Sequence, residues 1–123
     1  MKLTLLPYKL AVCRLEPSAE MPRWLNQTEF YTLTKTRDEL SIVCSDHLAP
    51  DTIIAERNWR CFKAEGPFDF SLSGVLSGII LPLADAKISI FAFSTFDTDY
   101  VMVKENLLSQ ARKALEEAGY QIQ

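Results

Sequence analysis

"KISIFAFSTFDTDYVMV", residues 87–103, decides how this chain folds. "KISIFAFST" reads as a strand that is apolar on both sides, as in a well-covered sheet. "DYVMV" reads as a second strand, with Asp97-Thr98 as a tight turn between them. Ser94, Thr95, Asp97, Thr98 and Asp99 crowd the junction of the two strands. Asp and Thr tolerate turn geometry and face water cheaply, so a plain turn explains them. A polar lip that holds a small molecule is the competing explanation.

Upstream, "LSGVLSGIILPLADA" (72–86) places Leu72, Val75, Leu76, Ile79, Ile80 and Leu83 at helical spacing along one apolar stripe. Ser71 is the expected N-cap, and Pro82 is expected to kink or shorten the last turn. Downstream, "ENLLSQARKALEEAG" (105–119) is an amphipathic helix with Leu107, Leu108, Ala111, Leu115 and Ala118 inward and Gly119 as its C-cap. "YQIQ" (120–123) closes the chain as a short strand. With "WRCFKAEG" (59–66) as the strand before the first helix, the order becomes β-α-β-β-α-β. That is the ferredoxin-like, α+β pattern: an antiparallel sheet with helices on one face.

Bulk properties narrow the function. A chain of 123 residues fits one compact domain or two very small ones sharing a core. The formal net charge of −3 argues against broad nucleic-acid binding, which needs a basic face. Cys13, Cys44 and Cys61 are isolated, and His47 is the sole histidine, so neither a zinc site nor a disulfide framework is expected. Free thiols in a reducing compartment fit better, and the expected location is cytoplasmic. Pro7 and Lys9 break the apolar N-terminus that would otherwise suggest a leader. "FSLSGVLSGIILPLA" is too short and serine-rich to span a bilayer, so no membrane partner is expected.

The first half echoes the second at an offset of 60. "FYTLTKTRDELSIVCSDHL" (30–48) lies over "IFAFSTFDTDYVMVKENLL" (90–108), matching Val43 with Val103 and Leu48 with Leu108. The first copy is poor where a helix should be: "EPSAEMPRWLNQ" holds two prolines and little periodicity, so at most a short helical turn is expected there. This divides the chain into a degenerate unit, 1–62, and a fuller unit, 63–123.

"SGVLSGIILPLADAKISIFAFSTFDTDYVMVKE" resembles the tandem ACT-domain proteins of the cytosolic arginine-sensor family and their small bacterial relatives. "GPFDF" (66–70) and "FYTLTKTRDELSIVCSD" fit the same pattern, so the resemblance covers nearly the whole chain. It implies two ferredoxin-like ACT units packed together, the first degenerate. It also implies a regulatory role: binding a free amino acid, or a close analogue, at an ACT–ACT interface. Ser89 and Ile90 would form one wall of the site, and Asp69, Phe70, Thr95, Phe96 and Asp99 the other. Asp99 would answer an ammonium or guanidinium, and Phe96 would cover the ligand's aliphatic part; a zwitterion leaving water needs such partners. Because the two walls belong to different ACT domains in that family, a short chain would supply them as a homodimer. The acid that begins the sensor's helix is Leu72 here, so arginine specificity does not carry over.

The remaining residues have plainer explanations. Phe91, Phe93 and Phe96 are expected in the core. Cys44, Asp46 and His47 are close in sequence, but nothing marks a nucleophile–base pair, and no enzyme activity, catalytic residue, metal or cofactor is expected. The alternative function is a protein-interaction module with a vestigial ligand pocket, acting on a regulated protein partner.

Overall fold

A computed structural model describes residues 1–66, 68 and 73–123. The strands are β1 (Lys2–Leu5), β2 (Leu10–Leu15), β3 (Thr32–Lys35), β4 (Leu40–Ser45), β5 (Ile54–Ala64), β6 (Ile90–Ser94), β7 (Asp99–Lys104) and β8 (Gln121–Ile122). The α-helices are α1 (Val75–Asp85) and α2 (Leu108–Glu117). Contacts divide the chain into two units: Met1–Pro7 with Arg60–Gln123, and Tyr8–Trp59.

In the first of these units the apolar stripes meet as their periodicity requires. Val75, Ile79 and Leu83 of α1 and Ala111 and Leu115 of α2 are buried with Leu3, Phe62, Ala64, Val101 and Val103 from the strands. Leu76, Ile80, Leu107 and Leu108 flank this core half-buried, while Ala118 is exposed, because the helix has already ended. Ser71 and Leu72 lie outside the described residues, and the position that caps α1 is held by Gly74. Pro82 sits within α1, three residues before its end. At the end of α2, Gly119 adopts a left-handed conformation, and Tyr120 N–H reaches back to Leu115 C=O at 3.0 Å. Lys87 takes the same left-handed position after α1, with Ile88 N–H on Leu83 C=O at 3.0 Å.

β7 lies between β5 and β6, which completes the split βαβ through α1. The far side differs from the simple pattern. β1 pairs antiparallel with β5, Leu3 opposite Ala64, and parallel with β8, Leu3 opposite Ile122. The chain's first strand therefore occupies the slot beside β5, and the closing strand pairs outside it.

The Tyr8–Trp59 unit has no α-helix. Where a short helical turn is expected, it has a 3₁₀ stretch, Arg23–Gln27, that buries Leu25. β2 pairs antiparallel with β4 and with the first half of β5, and β3 pairs with β4. Ala11, Cys13, Leu25, Leu40, Ile42, Cys44 and Ala49 form its core. A bulge in β5 puts Asn58 at positive φ, where its N–H bonds Asp46 Oδ2 at 2.7 Å.

The internal repeat is real in shape, but its offset is 59, not 60. Thr36–Glu39 and Thr95–Thr98 are the same four-residue hairpin loop, closed by Thr36 N–H to Glu39 C=O at 2.9 Å and by Thr95 N–H to Thr98 C=O at 2.8 Å. Each second strand then runs into a 3₁₀ turn, Asp46–Leu48 or Glu105–Leu107. Aligning valines had favoured the neighbouring register; the loop threonines set the true one. The expected two-residue turn at Asp97-Thr98 is accordingly a four-residue loop.

Candidate functional site

Ser94 closes β6 and Asp99 opens β7, so the hairpin register sets them directly opposite each other. Ser94 Oγ donates a hydrogen bond to Asp99 Oδ1. The loop between them is held from below as well as within itself. Thr98 is buried and its hydroxyl donates to Ala64 C=O at 2.6 Å, while Phe68 N–H donates to Asp97 C=O at 2.9 Å. The carboxylate of Asp99 thus projects from a fixed strand end rather than from a loose turn.

The other side of this corner is the start of α1. Gly74, Val75, Leu76, Ser77, Ile80 and Leu81 line a groove of about 500 Å³ with Ser94 and Asp99. Gly74 stands at positive φ, and no described side chain caps the helix start. The first N–H groups of any helix lack intrahelical acceptors and carry partial positive charge. One groove therefore brings a helix start and a carboxylate together, with Val75, Leu76 and Ile80 among its apolar lining.

The sequence-predicted residues scatter around this corner. Asp99 lines the groove. Thr95 is exposed in the loop, where its side chain bonds Thr98. Phe96, at the loop tip, is 78% exposed and is not a core residue as expected. Phe93 is half-buried and stacks on Tyr100, ring centroids 5.0 Å apart; Phe91 is also half-buried. Burial, with Cys61, Asp97 and Glu65 nearby, raises the Tyr100 pKa. Ser89 and Ile90 lie at the opposite end of β6 from Ser94. Asp69 and Phe70 fall outside the described residues. Ser94 belongs to the polar lip read from the sequence, whereas Ser77 and Gly74 carry no sequence signal, since only the folded chain brings them to the strand end.

The cysteine cluster offers no nucleophile. Cys44 is fully buried, and a hydrogen bond with Cys13, before burial, raises its pKa. Asp46 is engaged by Arg57 at 3.3 Å and by Asn58, and His47 is exposed. Among the described residues, no group of three or more His, Cys, Asp or Glu side chains is placed to hold a metal. No helix among them is long and apolar enough to cross a membrane.

The βαββαβ unit is the ferredoxin-like arrangement. The ACT-domain family model matches residues 54–117, and the chain belongs to this family; an N-terminal-domain model matches residues 8–52. ACT domains are small-ligand regulatory modules, and that is the class of protein this chain represents. A crystal structure of an Agobacterium tumefaciens protein is 37% identical, with a TM-score of 0.92, over 99% of this chain and 91% of that one. The regulatory subunit of aspartate kinase from Thermus thermophilus has the same fold at 10% identity, with a TM-score of 0.65 over 95% of this chain and 97% of that one. The "Cytosolic arginine sensor for mTORC1 subunit 1" of Bos taurus is 24% identical over 95 residues, 68% of this chain. The matched region is 29% of that longer protein.

Proposed function

We propose that the chain is a cytoplasmic, non-catalytic sensor that binds a free amino acid or close analogue in the groove between α1 and Ser94–Asp99. The observation that carries this reading is the groove's lining, which combines the start of α1, where no described side chain caps the helix, with Asp99. A zwitterion presents the matching pair of charges, and each partner offsets the cost of taking its charge from water. The ligand's α-carboxylate would sit at the start of α1, and its ammonium or side-chain cation at Asp99. The name of the bovine relative, an arginine sensor, supports the amino-acid class without fixing which one.

Two copies would complete the site. Among the described strands β6 pairs only with β7, and a sheet edge readily pairs with a second edge. Ser89 and Ile90 would then face the partner's groove, with Thr95, Phe96, Asp69 and Phe70 supplying the other wall. The tandem pattern fits two ACT-like units, with the ligand served by the one that holds α1 and α2.

A thermal-shift screen against the twenty amino acids, repeated with Asp99→Ala, tests the proposal. Ligand at about 100 times its Kd stabilises by roughly 2.7 kcal/mol, a shift of several degrees for a chain this size. We expect such a shift with one or two amino acids and its loss in Asp99→Ala. No shift with any of them would favour the interaction module. The exposed Phe96 and Leu81, the latter 61% exposed, are the features a protein partner would cover.

A further inference from the structure

The 59-residue offset that matches the two hairpins also relates residues of two grooves. Leu76, Ser77 and Ser94 line the one beside α1. Pro17, Ser18 and Lys35, each 59 positions earlier, line a second groove of about 660 Å³ in the Tyr8–Trp59 unit, together with Thr36 and Arg37. Three residues lining the candidate amino-acid groove thus have counterparts lining the second groove.

The charge is opposite in the two grooves. Where the first groove has Ser94, the second has Lys35, and the position of Asp99 is taken by buried Leu40. The carboxylate is lost and two cations are gained, Lys35 and Arg37, with no acid among the lining residues. Lys35 is placed rather than waving: its Nζ donates to Pro17 C=O at 2.7 Å, which leaves two of its three protons to point elsewhere. The nearby Glu16 carboxylate is engaged by Arg14 at 3.3 Å, and Arg14 also holds the loop through Asp38 C=O at 2.9 Å. The exposed Ser18 hydroxyl adds a neutral donor on the facing wall.

We propose that this groove is a second ligand site, distinct from the Asp99 groove, and that it takes a small oxyanion: a carboxylate or phosphate group carried on a compact organic body. Arg37 supplies a planar fork of donors suited to such a group, and Lys35 a point charge beside it. Pro17 and the methylene stems of Lys35 and Arg37 give the ligand's body an apolar surface. The chain as a whole carries a net charge of −3, opposite in sign to this groove's charged lining.

Amide chemical-shift titrations of the ¹⁵N-labelled chain with inorganic phosphate and with succinate, at constant ionic strength, test the site. We expect saturable shifts at Ser18, Thr36 and Arg37, weakened about tenfold or more in Lys35→Gln/Arg37→Gln, the loss of two charge-assisted hydrogen bonds. Both side chains are exposed and outside the core, so the double variant keeps the Thr36–Glu39 loop bond, visible as an unchanged Thr36 amide in the absence of anion. Asp99→Ala leaves these shifts intact, which separates this site from the amino-acid groove. Saturation with phosphate alone identifies a phosphate carrier, with succinate alone a carboxylate, and with both an oxyanion site in general. Linear, non-saturating shifts with both probes, or saturable shifts that survive in the double variant, overturn the proposal.

Discussion

Cys61 lies on β5 with no exposed surface, and burial pushes its thiol from the ordinary 9.0 up to about 12, against a smaller opposing pull from a backbone hydrogen bond at Val101. Only a thiolate attacks electrophiles, so this side chain is shielded twice, by access and by protonation. Cys13 and Cys44 are also buried, their sulfurs 3.9 Å apart. Their shared hydrogen bond lowers the Cys13 pKa and raises that of Cys44. A disulfide-exchange reagent at about pH 8 should therefore label none of the three thiols in the native chain and all three after unfolding. The raised folded-state pKa of Cys61 also has a sign. The unfolded chain releases this proton first, so the stability it represents is complete below pH 9 and is lost as pH rises towards 12. Stability measured by urea unfolding should fall across that alkaline window, and Cys61→Ala should flatten the decline.

At the scale of elements, what was legible and what was not divides along local and tertiary signals. Both α-helices were legible because their apolar residues recur at 3.6-residue spacing, and the end of α2 because Gly119 announces it. The end of α1 was not: Lys87 adopts the left-handed conformation without being a glycine. The hairpin was legible as two strands, yet its loop length was not, since Thr95 closes the loop through backbone and side-chain bonds that no residue spacing encodes. Asp99 was legible as a candidate contact; its partners across the groove belong to a helix start that only folding brings near. One prediction belongs here. A Cβ placed on Gly66 would come within 2.9 Å of Asp97 C=O, a backbone atom that cannot swing aside. Gly66→Ala should force the Thr95–Thr98 loop outward, costing about 1–3 kcal/mol as overpacking does. It should also weaken any ligand held at Asp99. A variant with unchanged Tm and unchanged loop amide shifts would show that the loop yields freely.

At the scale of the molecule, the first strand is the part whose place the sequence concealed. "KLTL" has the alternation of an ordinary strand, and nothing in it says which unit it joins. In the fold, Leu3 is fully buried among Phe62, Val101 and Leu115, all distant from it in the chain. Residues 8–59 are therefore inserted between the first and second strands of the unit they precede. The physical consequence is that β8, only two residues long, has β1 as its sole partner among the described strands. So short a strand holds only while the strand beside it is seated. Leu3→Ala removes a buried side chain at this junction and should destabilise the protein by ~2–5 kcal/mol. Hydrogen exchange then reports where the loss falls. Amides of β5 beyond Arg60, of β8 and of the end of α2 should exchange faster, while those of β3 and β4 stay protected. Faster exchange confined to β3 and β4 would instead tie the first strand to the residues that follow it directly, and would return the boundary between the units to a single point in the sequence.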